Sequence, residues 1–235
     1  MIVLINGWFL HKPNTGSGQY LTALIKHLGL HCTELDIHVI SPTNTNLPES
    51  CTLHIHETLD GHINKFIFEQ VIVPRTAKKL HAEILHIPYW APPFRSPCPV
   101  VVTIHDIIPI LLPEHKRSIS SRLYTALTVS ATHGVDQVIT DSNCSRNDIL
   151  KQIKIPLSRV HVVKLGVDKK FTTQNDSSLS KDVRAKYNLP DTYILYLGGF
   201  QRHKNIRHLL AAWTWAQPIA TDECQLIIAG LLPRK

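Results

Sequence analysis

Three places in this chain combine residue types that could do chemistry with a spacing that would let them. The first is Thr15-Gly16-Ser17-Gly18. It lies between a short β-branched run, Ile2 to Asn6, and a stretch in which Tyr20, Leu21, Leu24, Ile25 and Leu28 recur at helical spacing. Glycines at such a point let the backbone approach a phosphate, and the first turn of a helix offers N–H groups with no partner of their own. Gly16, Ser17 and Gly18 are therefore candidate phosphate contacts. A plain strand-to-helix turn is the competing reading, since Leu21 stands where a dinucleotide fingerprint would carry its third glycine. The second place is His105-Asp106, directly after the apolar run Val100–Ile104. Ligands in open α/β sheets bind beyond the carboxyl ends of strands, so both residues are cleft candidates, with a histidine satisfied by a loop carbonyl as the alternative. The third is Gly198-Gly199-Phe200-Gln201-Arg202-His203-Lys204-Asn205, between the strand-like Tyr193–Leu197 and a helical pattern from Asn205. Arg202 offers a forked donor and Lys204 a point charge, the combination that holds a diphosphate, unless both belong to a solvated charge cluster.

The elements that must position these groups alternate between strand and helix. Strand patterns fall at Ile2–Asn6, Leu35–Ile40, Leu53–His56, Ile84–Ile87, Val100–Ile104, Gln137–Thr140 and Val160–Val163. Helix patterns fall after Gly18, over Asn64–Leu80 with Pro74 as a kink or break, over Arg122–Ala131, and from an N-cap at Ser142 to about Ile153. Several of the strands are apolar on both faces, the mark of a parallel sheet covered by helices. Residues 164–181 lose periodicity and read as a linker. The pattern then restarts with a short helix near Lys181–Tyr187, a strand at Tyr193–Leu197, a helix over Asn205–Ala216 and a strand at Gln225–Ala229. The fold class expected is α/β: a Rossmann-like parallel sheet over residues 1–163, then the opening part, 182–235, of a second Rossmann-like domain. A two-stranded opening would leave Ile206, Leu209, Leu210, Trp213, Leu226, Ile227 and Ile228 short of partners.

Composition narrows the function. The 235 residues are 43% hydrophobic and 18% charged, enough for a core. Residues 1–120 carry 9 Lys/Arg and 9 Asp/Glu, while residues 121–235 carry 16 and 9, so the whole formal charge of +7 lies in the second half. That half favours an anionic partner, a phosphate or the surface of an anionic membrane. Basic residues are not interleaved with aromatics, which argues against nucleic acid. The first apolar run is far shorter than a signal-peptide core or a membrane span, and five scattered cysteines without C-x-x-C give neither a disulfide framework nor a zinc knuckle. The expected setting is cytoplasmic, with peripheral contact at the inner face of the membrane. His54 and His56 share a strand face but lack a third metal ligand, so no metal site is expected.

Taken in order, these segments resemble the retaining glycosyltransferases of the GT-B fold, family 4, and mannosyltransferase-like members in particular. The resemblance rests on Gly16-Ser17-Gly18-Gln19-Tyr20; Glu69-Gln70 through Pro74; Leu85-His86-Ile87-Pro88; Val101-Val102-Thr103-Ile104-His105-Asp106; Val138-Ile139-Thr140-Asp141-Ser142 with Ser145-Arg146; Leu165-Gly166-Val167-Asp168; and Leu195-Tyr196-Leu197-Gly198-Gly199 with Lys204-Asn205. It implies a nucleotide sugar as co-substrate, no other cofactor and no metal. It further implies two domains facing across a cleft, an acceptor-side first domain, and a glycan or lipid-linked acceptor. By the same resemblance His105 contacts the donor sugar, the Gly16–Gly18 loop approaches the diphosphate, and Lys204 neutralises the leaving group. The sequence departs from the family at His203, where members often have arginine. Glu49 and Glu57 copy the spacing of the family's glutamate pair but not its place, which the resemblance puts beyond residue 235. The alternative readings are a truncated, non-catalytic half that binds acceptor or partner, and a nucleotide-sugar epimerase on the same fold.

Overall fold

A computed structural model describes residues 1–112, 119–168, 171, 177–219 and 224–230. Two compact units divide at Gly166 and Val167. The first is one parallel sheet of β1 (Ile2–Asn6), β2 (Asp36–Ser41), β3 (Cys51–Ile55), β4 (Ile84–Ile87), β5 (Val100–Thr103), β6 (Gln137–Thr140) and β7 (Val160–Val162), in the spatial order β3-β2-β1-β4-β5-β6-β7. Between the strands run α1 (Gly16–His31), α2 (His62–Ile67), α3 (Val73–Lys79), α4 (Ile108–Leu111), α5 (Ile119–Thr132) and α6 (Asn143–Ile153).

The sheet is buried on both faces because its central strands are apolar at successive positions. Val3 and Ile5 of β1 pack on Leu21 and Ile25 of α1, together with Ile37 and Val39. Leu4, Leu85, Val102 and Val138 face the other way, onto Phe68, Val73, Ala77 and Ile149. The capping expected at Ser142 is present, since its Oγ accepts from the Ser145 N–H at 3.1 Å. Pro74 does not break the helix in which it lies. It sits in the first turn of α3, where a missing N–H costs little, and a wide π turn over Phe68–Ile72 joins α2 to α3.

The second unit holds α7 (Ser177–Tyr187), β8 (Thr192–Leu197), α8 (Ile206–Ala216) and β9 (Cys224–Ala229), with β8 and β9 paired in parallel. The helix α7 starts at Ser177, so it takes in residues 177–181 of the stretch read as linker. Lys169, Lys170 and Gln174 to Asp176, also read as linker, lie outside the described residues. No residue of β8, α8 or β9 is fully buried, and Leu210 and Ile228 are exposed. Among the described residues no helix is long and apolar enough to cross a membrane.

Gly18 is the tightest backbone approach of the first unit. A Cβ there would stand 2.1 Å from the Lys12 carbonyl oxygen, whereas a Cβ on Gly16 would meet nothing within 4 Å. Gly18→Ala should therefore cost about 1–3 kcal/mol, and Gly16→Ala should stay within about 0.5 kcal/mol of the parent. Urea unfolding of the two variants checks this, and equal stabilities would remove the packing role of Gly18.

Candidate functional site

In a parallel sheet every strand ends at one edge. Here the strand order reverses between β1 and β4, because β2 and β3 extend from β1 on one side while β5 to β7 extend from β4 on the other. Such a reversal opens a crevice at the carboxyl ends of the two strands. Asn6, at the end of β1, is fully buried there. Its Nδ2 donates to the Tyr89 hydroxyl at 2.8 Å, and its Oδ1 accepts from the Trp8 N–H at 2.9 Å. Beside it Lys65 pairs with Glu69 and donates to the Tyr124 hydroxyl at 3.2 Å, while its Nζ stands over the rings of Tyr89 (4.8 Å), Tyr124 (5.6 Å) and Phe9 (5.8 Å). Burial pushes the Glu69 carboxyl up in spite of Lys65. Burial alone would pull the Lys65 amine down, but Glu69 and Tyr124 outweigh it and hold the amine above its ordinary value. Gln70 ties the loop after β4 to this helical stretch, donating to the Pro92 carbonyl and accepting from the Phe94 N–H.

His105 follows β5 on the same edge. The pairing of β5 with β6 aligns Val101 with Gln137, Val102 with Val138 and Thr103 with Ile139. Carried two residues further, the same offset sets His105 against Asp141, and there the His105 Nδ1 meets the Asp141 Oδ2 at 2.8 Å. A carboxylate only accepts, so the neutral imidazole carries its proton on Nδ1 and leaves Nε2 as a lone pair. That Nε2 is covered and has no hydrogen-bond partner among the described residues. The backbone is held as well, with Ser145 Oγ donating to the His105 carbonyl at 2.9 Å. Asp106, the other cleft candidate at this strand end, does not bond His105. Neighbouring residues leaving a strand point to opposite sides, and the Asp106 Oδ1 is occupied by the Ile108 N–H at 2.9 Å, closing the first turn of α4. Asp141 is the acid that serves His105. The signal for it was the matched position of the two residues, two beyond the register pair Thr103 and Ile139.

Two further groups reach His105. The Tyr20 ring of α1 stands on its imidazole edge-to-face, at a centroid distance of 4.7 Å. The Tyr20 hydroxyl lies 3.2 Å from Thr103 Oγ1, which lies 3.0 Å from Nε2 of the buried His86. Burial raises the Tyr20 phenol, and the Asp141 charge adds to that against the Thr103 bond. Burial pulls His86 down to about 4.

The Gly16–Gly18 loop opens α1 as expected, but its three residues differ. Gly16 and Ser17 lie at the open end of the helix. The Gly18 N–H is used, donating to Thr15 Oγ1 at 3.1 Å, and its missing side chain makes room for the Lys12 carbonyl. Gly18 is thus a packing glycine, and a phosphate could reach only the two residues before it.

In the second unit, Arg202 and Lys204 do not sit at the first turn of α8. They form a short 3-10 turn with His203, and Asn205, at φ 55°, separates that turn from Ile206. The left-handed residue breaks the helix one step later than the charge pattern suggests. Both cations are exposed, and their side chains form no hydrogen bond or ion pair among the described residues. Arg202 lines a depression of about 520 Å³ with Phe200, Gln201, Asn205, Ile206 and His208; Lys204 does not line it. Gly199 lies in the turn after β8, where its carbonyl accepts from the Tyr196 hydroxyl at 2.7 Å.

Two remaining sets carry no chemistry of this kind. His54 pairs across strands with His38, Nε2 to Nδ1 at 2.8 Å, rather than with His56. Among the described residues no group of three or more His, Cys, Asp or Glu could hold a metal ion. Glu49 and Glu57 are exposed on either side of β3.

A Rossmann-like parallel sheet with its polar groups gathered at the carboxyl edge, followed by a second strand–helix–strand unit, defines the GT-B class of α/β fold. Solved structures agree. A glycosyltransferase from Rickettsia africae superposes with a TM-score of 0.53 at 15% identity, over 97% of this chain and 68% of that one. The Anabaena protein HepE, crystallised with UDP-glucose, gives 0.56 at 12%, over 98% and 70%. Residues 15–171 match the family model described as Glycosyltransferase Family 4, and the chain belongs to that family. The O-antigen chain mannosyltransferase B of Escherichia coli is 24% identical over 234 residues, covering 93% of this chain. The chain spans 61% of that relative's length.

The buried His86 makes a prediction about acid. Its imidazole stays neutral in the folded chain down to about pH 4, while the unfolded chain takes up a proton near its ordinary value of 6.5. Stability is therefore present above pH 6.5 and lost as pH falls through 4, by about 3 kcal/mol at about 1.4 kcal/mol per tenfold change. Urea unfolding at pH 7 and pH 4 should show that loss. His86→Gln cannot titrate, so it should remove most of the difference, and an unchanged slope would show that other groups carry it.

Proposed function

We propose that this chain carries out hexosyl transfer, mannosyl transfer in particular, from a nucleotide sugar to a glycan or lipid-linked acceptor with retained anomeric configuration. The observation that carries the reading is His105 in a family 4 chain. It stands at the carboxyl edge of the sheet, its Nδ1 is fixed by Asp141, and its Nε2 has no partner among the described residues. Its lone pair is left without a partner among the described residues, and a hydroxyl of the donor sugar can satisfy it once the groups that cover the atom give way. The mannosyl preference is supported by the similarity to a mannosyltransferase. A nucleotide as donor group is supported by the likeness in fold to a protein crystallised with UDP-glucose.

In this reading Lys204 and Arg202 of the second unit take the diphosphate, with Gly199 keeping their turn narrow, and in the first unit Gly16 and Ser17 keep N–H groups available to an anion. The departing charge is met by fixed cations and backbone dipoles that need no reorganisation during the step. No metal and no further cofactor enters the proposal. The +7 charge gathered in residues 121–235 supports peripheral contact with an anionic membrane, where a lipid-linked acceptor would be met.

The test is sugar transfer from a panel of nucleotide sugars, mannosyl donors included, with the product identified on the acceptor. Sugar recovered on the nucleotide with one centre inverted would make the chain an epimerase. His105→Ala should lower turnover about a hundredfold or more with an unchanged melting temperature, in line with the loss of one well-placed polar group. Full activity in that variant removes His105 from the reaction. Lys204→Ala should weaken nucleotide-sugar binding about tenfold, as one charge-assisted contact does, and calorimetry reads it directly.

A further inference from the structure

We infer that Tyr20 is a positioning residue for His105, holding its imidazole in the plane that keeps Nδ1 on Asp141 and Nε2 free for the donor. The inference rests on the reading of His105 given above. Asp141 fixes one ring atom of His105, which leaves the ring free to swing about that bond. The Tyr20 ring, perpendicular to the imidazole at 84° and 4.7 Å between centroids, blocks the swing. Edge-to-face pairs of this geometry prefer that arrangement over a parallel sandwich. The ring of Tyr20 can serve as a wall only if it is itself held, and its hydroxyl is tied to Thr103 Oγ1 at 3.2 Å. Thr103 is the last residue of β5, two before His105, and is fully buried. Its own hydroxyl is backed by His86 on the neighbouring strand at 3.0 Å. Tyr20 therefore joins α1 to the strand that carries His105, so the helix opening at Gly16 and the imidazole are fixed in one piece.

This reading gives Tyr20 two separable parts, a ring that touches His105 and a hydroxyl that anchors the ring. Tyr20→Phe keeps the first and loses the second, and Tyr20→Leu loses both. The experiment is ¹⁵N histidine spectroscopy of the full chain, with the His105 signals assigned by their absence in His105→Gln. The parent should show a protonated Nδ1 and a bare Nε2. In Tyr20→Leu the two nitrogen resonances should move toward a common average as the ring swings off Asp141, with Tyr20→Phe in between, while circular dichroism at 25 °C stays that of the parent. If Tyr20→Leu is unfolded, Tyr20→Phe alone decides, and His105 resonances at their parent positions in the folded variant overturn the inference. Asp141→Asn is the control, expected to shift the same resonances. The reading of His105 itself is tested by the activity of His105→Ala, so the two can fail separately: an inactive His105→Ala with undisturbed His105 signals in Tyr20→Leu sinks the inference alone.

Discussion

The site rests on one register. Because β5 and β6 run parallel with Thr103 beside Ile139, the residues two beyond that pair arrive together, and those residues are His105 and Asp141. A shift of one position would turn both side chains to opposite faces. That register is held by burial, since Val102 and Val138 are fully covered on one face and cannot be turned outward without loss. The neighbouring bond from the Ile104 N–H to the Ile139 carbonyl, at 2.8 Å, extends the ladder right up to the histidine. An acid and a base separated by 36 positions in sequence are thus set by main-chain hydrogen bonds and apolar side chains that take no part in chemistry.

Much of the first unit could be read directly from residue patterns. Ile84–Ile87 and Gln137–Thr140 show as strands because short apolar runs between turn residues are buried strands of a parallel sheet. Ser142 shows as an N-cap because its hydroxyl directly precedes a helical stretch whose apolar face is Ile149, Leu150 and Ile153. Less legible was the helical stretch around Pro74. A proline inside an apolar period reads as a kink or a break, but the wide turn over Phe68–Ile72 and the place of Pro74 in the first turn of α3 let the chain stay helical. The short α4 was hidden for another reason: with four residues it has no period to show, and its first N–H is taken by the Asp106 carboxylate rather than by a residue of an apolar pattern.

The site was legible in its parts rather than in its pairings. His105 was visible because it leaves an apolar strand. Its partner Asp141 is set by the register, a non-local property that no single stretch of sequence shows. The Lys65–Glu69 pair could be seen as an i,i+4 spacing on a helix, which ordinarily marks an exposed face; the three aromatic rings that cover it come from the stretch after β1, from the loop after β4 and from α5. Gly18 was legible as a glycine that matters, but a glycine required by a backbone neighbour and one required by a ligand look alike in sequence. Among Arg202, Lys204 and Asn205, the charges were visible, and the left-handed asparagine that separates them from α8 was not.

The hydroxyl of Thr103 stands between two neighbours and owns one hydrogen. Tyr20 and His86 lie on either side of it at hydrogen-bond distance. If Tyr20 donates to Thr103, then Thr103 donates to His86, whose ring proton must sit on Nδ1; if His86 donates from Nε2, the whole series runs the other way. No member can turn alone without facing a donor with a donor or an acceptor with an acceptor. The series therefore has a polarity, set as a whole, and a change of tautomer at His86 on β4 is felt at the phenol on α1 through a single shared proton. Serine at 103 would conserve that polarity, whereas valine, of nearly the same shape, would erase it.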